Sequence, residues 1–235
     1  CAAPVVENSA PAATRGAAHL CGSASCILEC VQRLPFAATL SKLRSMGSGP
    51  EKGMMIRIFK ESSELEVWKQ TATGYKLFKT YEICAWSGEL GPKIKEGDRQ
   101  SPEGFYTITP GLMNPNSNYY LAFNTGFPNK FDRAYGRTGS DLMVHGDCSS
   151  RGCYSMTDES IAEIYALARE TFKGGNPSFQ LQIFPFRMTP QNLASAVLAS
   201  CSIPFVLNPV QDPPGAPPGT YWDGGITDYH LHLDY

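Results

Sequence analysis

Glycine and proline recur too often along this chain for a helical bundle. The 235 residues include 22 Gly and 18 Pro, residues that break helices and build turns, so a turn-rich, strand-rich body is favoured. The apolar pattern between the breaks agrees. Met54–Phe59 and residues 65–69 alternate in part, and Glu61-Ser62-Ser63 reads as the hairpin turn between them. Residues 75–83, 105–108 and 119–123 continue the strand pattern, whereas 113–118, rich in Asn with a Pro, reads as a loop. Phe179–Phe184 alternates, and Pro185 limits its far end to an edge or an exit. One helix is well marked. Thr157 or Asp158 is its N-cap, Ile161, Ile164, Tyr165, Ala168 and Phe172 share a face, and Gly174-Gly175 stops it. That apolar stripe reads as core packing. The expected class is mainly β with some α, an α+β domain.

The chemistry gathers in residues 144–154, Val-His-Gly-Asp-Cys-Ser-Ser-Arg-Gly-Cys-Tyr, where His145 and Cys153 stand eight positions apart. A short buried strand over 142–144 is expected to deliver His145 to the rim of a sheet. A free cysteine with a pKa of about 8.5 is mostly protonated at neutral pH, so a nucleophilic thiol needs a base, and a local histidine supplies one. Gly152 lets a substrate carbonyl approach the backbone, and N–H groups around Arg151, Gly152 and Cys153 are suited to an oxyanion. Two other readings stay open. Cys148 and Cys153 could pair as a disulfide, or join His145 as metal ligands, although three ligands without a second cluster make an incomplete zinc site.

Composition excludes some partners. A formal charge of −2 argues against nucleic acid, and no run of 18 apolar residues is present to span a bilayer. Eight cysteines suit an oxidising compartment better than the cytosol. The chain starts at Cys1-Ala2-Ala3, as a processed bacterial lipoprotein would, with the Cys1 thiol carrying the lipid; an arbitrary boundary is the plain alternative. Residues 1–20, rich in Ala and Pro, read as a disordered tether, and 21–52 as a short helical and linker segment ending at Gly47-Ser48-Gly49-Pro50. Cys21, Cys26 and Cys30 lack a fourth ligand nearby, which favours stray or disulfide-linked cysteines over a metal site. No metal and no cofactor is expected.

The wording around the His/Cys pair is more specific than its spacing. Residues 143–157, Met-Val-His-Gly-Asp-Cys-Ser-Ser-Arg-Gly-Cys-Tyr-Ser-Met-Thr, resemble the active-site segment of the L,D-transpeptidase catalytic domain (YkuD type), in particular its YafK-like branch. Gly91-Pro92-Lys93, Glu96-Gly97-Asp98, Ser101-Pro102-Glu103-Gly104, Gly126-Phe127-Pro128-Asn129, Asp132-Arg133-Ala134 and Pro185-Phe186-Arg187 follow in the same order as in that branch. The resemblance covers about residues 53–192 and implies a β-sandwich or barrel-like YkuD-type fold with a few helices. It implies Cys153 as nucleophile, His145 as base, and the Gly146 carbonyl as the group that orients the imidazole. The implied substrate is the stem peptide of peptidoglycan, attacked at a carbonyl next to diaminopimelate to give a thioester. An amine or water resolves it; hydrolysis in this branch includes release of a murein-bound outer-membrane lipoprotein. A periplasmic location follows, with contact to a membrane only through Cys1. Most of the wider family has Ser-His-Gly-Cys at the nucleophile, and here Ser150-Arg151-Gly152-Cys153 stands instead. Arg151 either stabilises an anion or substrate carboxylate, or is a solvated side chain. Cys84 and Cys148 both lie in matching blocks, so a disulfide between them, or a resolving role for Cys148, is open. A cell-wall or lipoprotein-binding module without catalysis is the competing function.

Residues 193–235 depart from this pattern. Residues 196–205 and the Asp223-Gly224-Gly225 motif resemble the end of a patatin-like phospholipase domain, where the Asp serves a serine. No Gly-x-Ser-x-Gly elbow precedes it, so an acyl hydrolase of that type would be incomplete and the fragment's independence is doubtful. Asp223-Gly224-Gly225 equally suits a tight turn, and His230 and His232 a solvated strand face rather than a metal site.

Overall fold

The computed structural model describes residues 36–191, together with 210–211 and 220–221. Its elements are α1 (Phe36–Ser45), β1 (Met54–Phe59), β2 (Glu64–Thr71), β3 (Gly74–Glu82), β4 (Gly104–Ile108), β5 (Met113–Ser117), β6 (Tyr120–Asn124), α2 (Lys130–Ala134), β7 (Met143–His145), β8 (Tyr154–Ser155), α3 (Asp158–Lys173), β9 (Phe179–Phe184), β10 (Val210–Gln211) and β11 (Thr220–Tyr221). The last two pair only with each other. The class is α+β. The tether and the patatin-like motif expected from sequence lie outside the described residues, as do Cys1, Cys21, Cys26, Cys30, Asp223, His230 and His232.

Two sheets make the body, one in the order β3-β2-β1-β9-β4 and one in the order β5-β6-β7-β8. β1 to β3 form an antiparallel meander, and β9 inserts parallel to β1 and antiparallel to β4. A parallel neighbour needs a crossover, which α3 provides. Alternation decides the faces: Ile56 and Ile58 of β1 and Leu181 and Ile183 of β9 point inward with Leu65 and Val67 of β2. The second sheet contributes Leu121, Phe123 and Val144, and α3 contributes Ile161, Ile164, Leu167 and Ala168 to the same cluster. The Phe179 ring joins all three layers, edge-on to Phe123 at 6.1 Å and tilted against Phe172 at 5.5 Å. Each such fully buried side chain is worth about 1.5–3 kcal/mol of transfer free energy, so the core fixes the strand register.

Three local outcomes differ from the sequence reading. Residues 113–117 form β5 rather than a loop, paired irregularly with β6. Pro115 is tolerated because β5 is an edge strand and its pairing skips from Asn114 to Ser117. β9 lies inside its sheet, so Pro185 marks an exit and not an edge. Helix α2 was not anticipated; five residues are too few for a periodic stripe, and it is held by an Asn129/Asp132 capping box. Upstream, Leu43 of α1 is fully buried in the common core, so this part of the expected linker packs with the catalytic-domain residues. The marked helix begins as expected, with the Thr157 hydroxyl accepting from Ser160 N. Among the described residues no helix is long and apolar enough to cross a membrane, and no cluster of metal-ligating side chains occurs.

Candidate active site

β7 and β8 are parallel neighbours, with Val144 opposite Tyr154 and His145 opposite Ser155. Val144 and Tyr154 are fully buried and face the core. By alternation, His145 and Cys153, which immediately precedes β8, share the other face on adjacent strands. The eight-residue spacing in sequence therefore becomes a diagonal pair in space.

His145 is fixed on several sides. Its Nδ1–H donates to the Gly146 carbonyl at 2.5 Å, which leaves Nε2 as the acceptor. The Tyr119 ring lies against the imidazole, centroids 4.8 Å apart, and Met156 N–H donates to the His145 carbonyl at 2.7 Å. Gly146 is required as glycine: an added Cβ would stand 2.5 Å from Asp158 Oδ1 and 3.0 Å from the Tyr119 carbonyl. The close approach has a use, since Gly146 N–H donates to the Tyr119 and Leu121 carbonyls and Asp147 N–H to Asp158 Oδ1 at 3.0 Å.

Cys153 is the free cysteine among the described residues and is partly exposed. Its thiol donates to the Asp141 carbonyl at 3.7 Å and accepts Met143 N–H at 3.4 Å. Burial pushes the thiol pKa above its ordinary value; the Asp141 charge adds to this and the Met143 N–H opposes it. The resting group is therefore a thiol, and making thiolate at neutral pH requires a proton acceptor. Catalytic hydrogen bonds are often long or misaligned without substrate, and in the resting arrangement the thiol contacts Asp141 in place of His145.

The loop between the pair is closed by covalent and polar ties. Cys84 and Cys148 form a disulfide, which excludes the Cys148–Cys153 pairing and the metal reading left open by the sequence. It anchors the loop to the segment after β3, where Ala85 also bridges to Ser155. Ser150 Oγ donates to the Cys153 carbonyl at 2.7 Å, and Gly152 N–H turns toward Ser150 Oγ at 3.3 Å. In this resting arrangement these two groups serve the loop itself. Gly152 has φ +127, and a Cβ would lie 3.1 Å from Leu142 Cδ2. Arg151 is exposed and without an ion pair or hydrogen bond among the described residues. Sequence reasoning missed Tyr119 and Asp141, whose contacts with His145 and Cys153 form only in the fold. Asp158 was visible only as a candidate helix cap.

Comparisons with known proteins show what the chain is similar to. The chain is 48% identical over 138 residues to YafK of Escherichia coli (strain K12), described provisionally as an L,D-transpeptidase, and equally to its counterpart in strain O157:H7. The match takes 59% of this chain and 56% of the relative, so the chain spans about half the length of the curated relatives it matches. Among solved structures it is similar to the helical cell shape determining protein Pgp2 from Campylobacter jejuni, with 20% identity, TM-score 0.47, and 64% and 56% of the two chains covered. It is also similar to Bdellovibrio bacteriovorus Bd1075, with 22% identity, TM-score 0.41, and 63% and 57% covered. The model of the L,D-transpeptidase catalytic domain, YkuD, matches residues 52–177, a span that holds β1 to β8, all of α3, and both His145 and Cys153. The chain belongs to the L,D-transpeptidase catalytic domain family.

Proposed function

We propose that this chain is a cysteine-dependent acyltransferase or amide hydrolase acting on peptidoglycan stem peptides. The observation that carries the reading is His145 in β7 beside the parallel β8 that Cys153 immediately precedes, with Nδ1–H committed to Gly146 and Nε2 left as acceptor. The thiol proton passes to His145 Nε2 as sulfur bonds to the carbonyl carbon beside diaminopimelate. The carbon–nitrogen bond of the tetrahedral adduct breaks, and His145 returns the proton to the leaving amine. The resulting Cys153 thioester is resolved by an acceptor amine, forming a cross-link, or by water, releasing a peptide or an attached lipoprotein. Backbone donors at residues 151–153, with the Gly152 N–H turned from Ser150 to the substrate, and the exposed Arg151 guanidinium supply the positive field for the oxyanion or for a substrate carboxylate. The Cys84–Cys148 disulfide favours work in an oxidising compartment such as the periplasm.

A non-catalytic wall-binding module is the second reading, favoured by the resting thiol's contact with Asp141 in place of His145. Incubation with purified lipoprotein-bearing sacculi, analysed by mass spectrometry, decides between them. Product formation by the native chain and its loss in Cys153→Ser and His145→Ala, both still folded, is expected. Unchanged turnover in Cys153→Ser overturns the mechanism; binding without turnover and an unreactive Cys153 establishes the second reading.

A further inference from the structure

Lys60 is a fully buried cation at the end of β1, far in sequence from the His/Cys pair. Its Nζ lies 2.7 Å from the Glu89 carbonyl, 3.1 Å from that of Gly91, 3.1 Å from that of Ser101 and 2.9 Å from Glu103 Oε1. The Trp86 ring covers it at 5.0 Å. Every one of these partners belongs to the connection between β3 and β4. Gln100 Nε2 donates to the same Glu89 and Gly91 carbonyls, and Glu103 Oε1 accepts Gly91 N–H at 2.7 Å. The connection is thus wrapped round one ammonium group. Lys60 is itself tied to the central sheet, its N–H donating to the Phe184 carbonyl at 3.1 Å.

The wrapped segment reaches the nucleophile at Ser101. This buried side chain accepts Ser87 N–H at 3.1 Å and donates to the Cys153 carbonyl at 3.2 Å. Ser150 donates to the same carbonyl at 2.7 Å. Two hydroxyls on one carbonyl fix the peptide plane that follows Cys153, and with it the Cα–Cβ direction from which the thiol swings. Tyr154 O–H, donating to the Pro102 carbonyl at 2.7 Å, fastens the next residue to the same connection.

We infer that Lys60 and Ser101 are positioning residues for Cys153: the buried ammonium sets the β3–β4 connection, and the Ser101 hydroxyl transmits that setting to the nucleophile's carbonyl. This rests on Cys153 being the nucleophile. A misplacement of about 1 Å at a reacting group can cost a hundredfold in rate, so a single hydroxyl at this junction is expected to matter.

The test uses Ser101→Ala, which keeps the Ser101 carbonyl on Lys60, with Lys60→Met and the double variant beside it. Two readouts are taken at a temperature where circular dichroism shows each protein folded: the pH profile of Cys153 alkylation by iodoacetamide, and kcat and KM on sacculi. Expected for Ser101→Ala is a fall in kcat of about tenfold with KM unchanged, and an alkylation profile displaced to higher pH. The double variant is expected to fall no further than Lys60→Met, because both act through one path. A Ser101→Ala protein with native kcat and alkylation profile overturns the inference, as does one that loses only thermal stability. If Lys60→Met does not fold, Ser101→Ala decides alone. If the native chain turns over no sacculi, the functional reading fails, and the alkylation profile still decides this one.

Discussion

Replacing Gly152 by alanine puts the reasoning about the nucleophile loop at risk in one measurement. At φ +127 the backbone lies where side-chain-bearing residues are strained by about 1–3 kcal/mol. The new Cβ also meets Leu142 Cδ2 at 3.1 Å and the Gln100 carbonyl at 3.6 Å. Leu142 is buried, so its displacement adds roughly 1 kcal/mol of packing cost. Gly74 is the control. It has φ +111 at the start of β3 and nothing within 4 Å of its added Cβ, so Gly74→Ala reports strain alone. Taking strain as about 2 kcal/mol, and about 2–4 °C per kcal/mol for a domain of this size, Gly74→Ala is expected to lower Tm by about 4–8 °C. Gly152→Ala is expected to lower it by about 6–12 °C. Only Gly152→Ala is expected to slow Cys153 alkylation, by about tenfold or more, because only it moves the peptide that carries the thiol. Thermal melts and iodoacetamide kinetics below both transitions measure the two effects. Equal melting shifts with native alkylation in both variants would refute the account of Gly152.

Three further outcomes test other parts of the structure. Removing the disulfide by Cys84→Ala with Cys148→Ala frees a loop of 64 residues' separation, and chain entropy sets an upper cost of about 4 kcal/mol, read from urea midpoints in non-reducing buffer. Lys69 is buried, donates to the Pro50 and Lys52 carbonyls and to Thr171 Oγ1, and desolvation pulls its pKa down to about 8, an effect only partly offset by Glu51. Between about pH 8 and 10.5 the unfolded chain binds more protons, so stability rises across that window in the native protein; urea midpoints in Lys69→Met are expected to lack this rise. Burial raises the pKa of Asp98, but Lys93 and the N–H groups of Lys95, Gln100 and Ile94 outweigh it and hold the carboxyl below its ordinary range. Its contribution is present above the unfolded value of about 3.9 and is lost as pH falls below it. The urea-midpoint gap between native and Asp98→Asn should therefore be largest at neutral pH and shrink below about pH 4.

Much of this protein was legible before folding because its signals are local. Alternation placed β1, β2, β6 and β9, and a capped apolar stripe placed α3, since a face must be buried whatever the partner. The catalytic candidates were legible because thiol chemistry needs a base and the two residues stand eight apart in a distinctive segment. The order of β9 between β1 and β4, and the pairing of Asn- and Pro-bearing β5 with β6, were not legible, because register is chosen by the partner strand.

The sequence by itself determined the strand-rich α+β class, the His145–Cys153 pair and, through its wording, the family. Only the tertiary structure decided how that pair is held. It joined Cys84 to Cys148, seated Tyr119 on the imidazole, and hydrogen-bonded Ser101 to the Cys153 carbonyl. Those relations link residues up to 64 positions apart, from Cys84 to Cys148. The physical reason is that covalent spacing fixes what chemistry is available, while the direction of a side chain depends on hydrogen-bond partners that meet only when the sheets close.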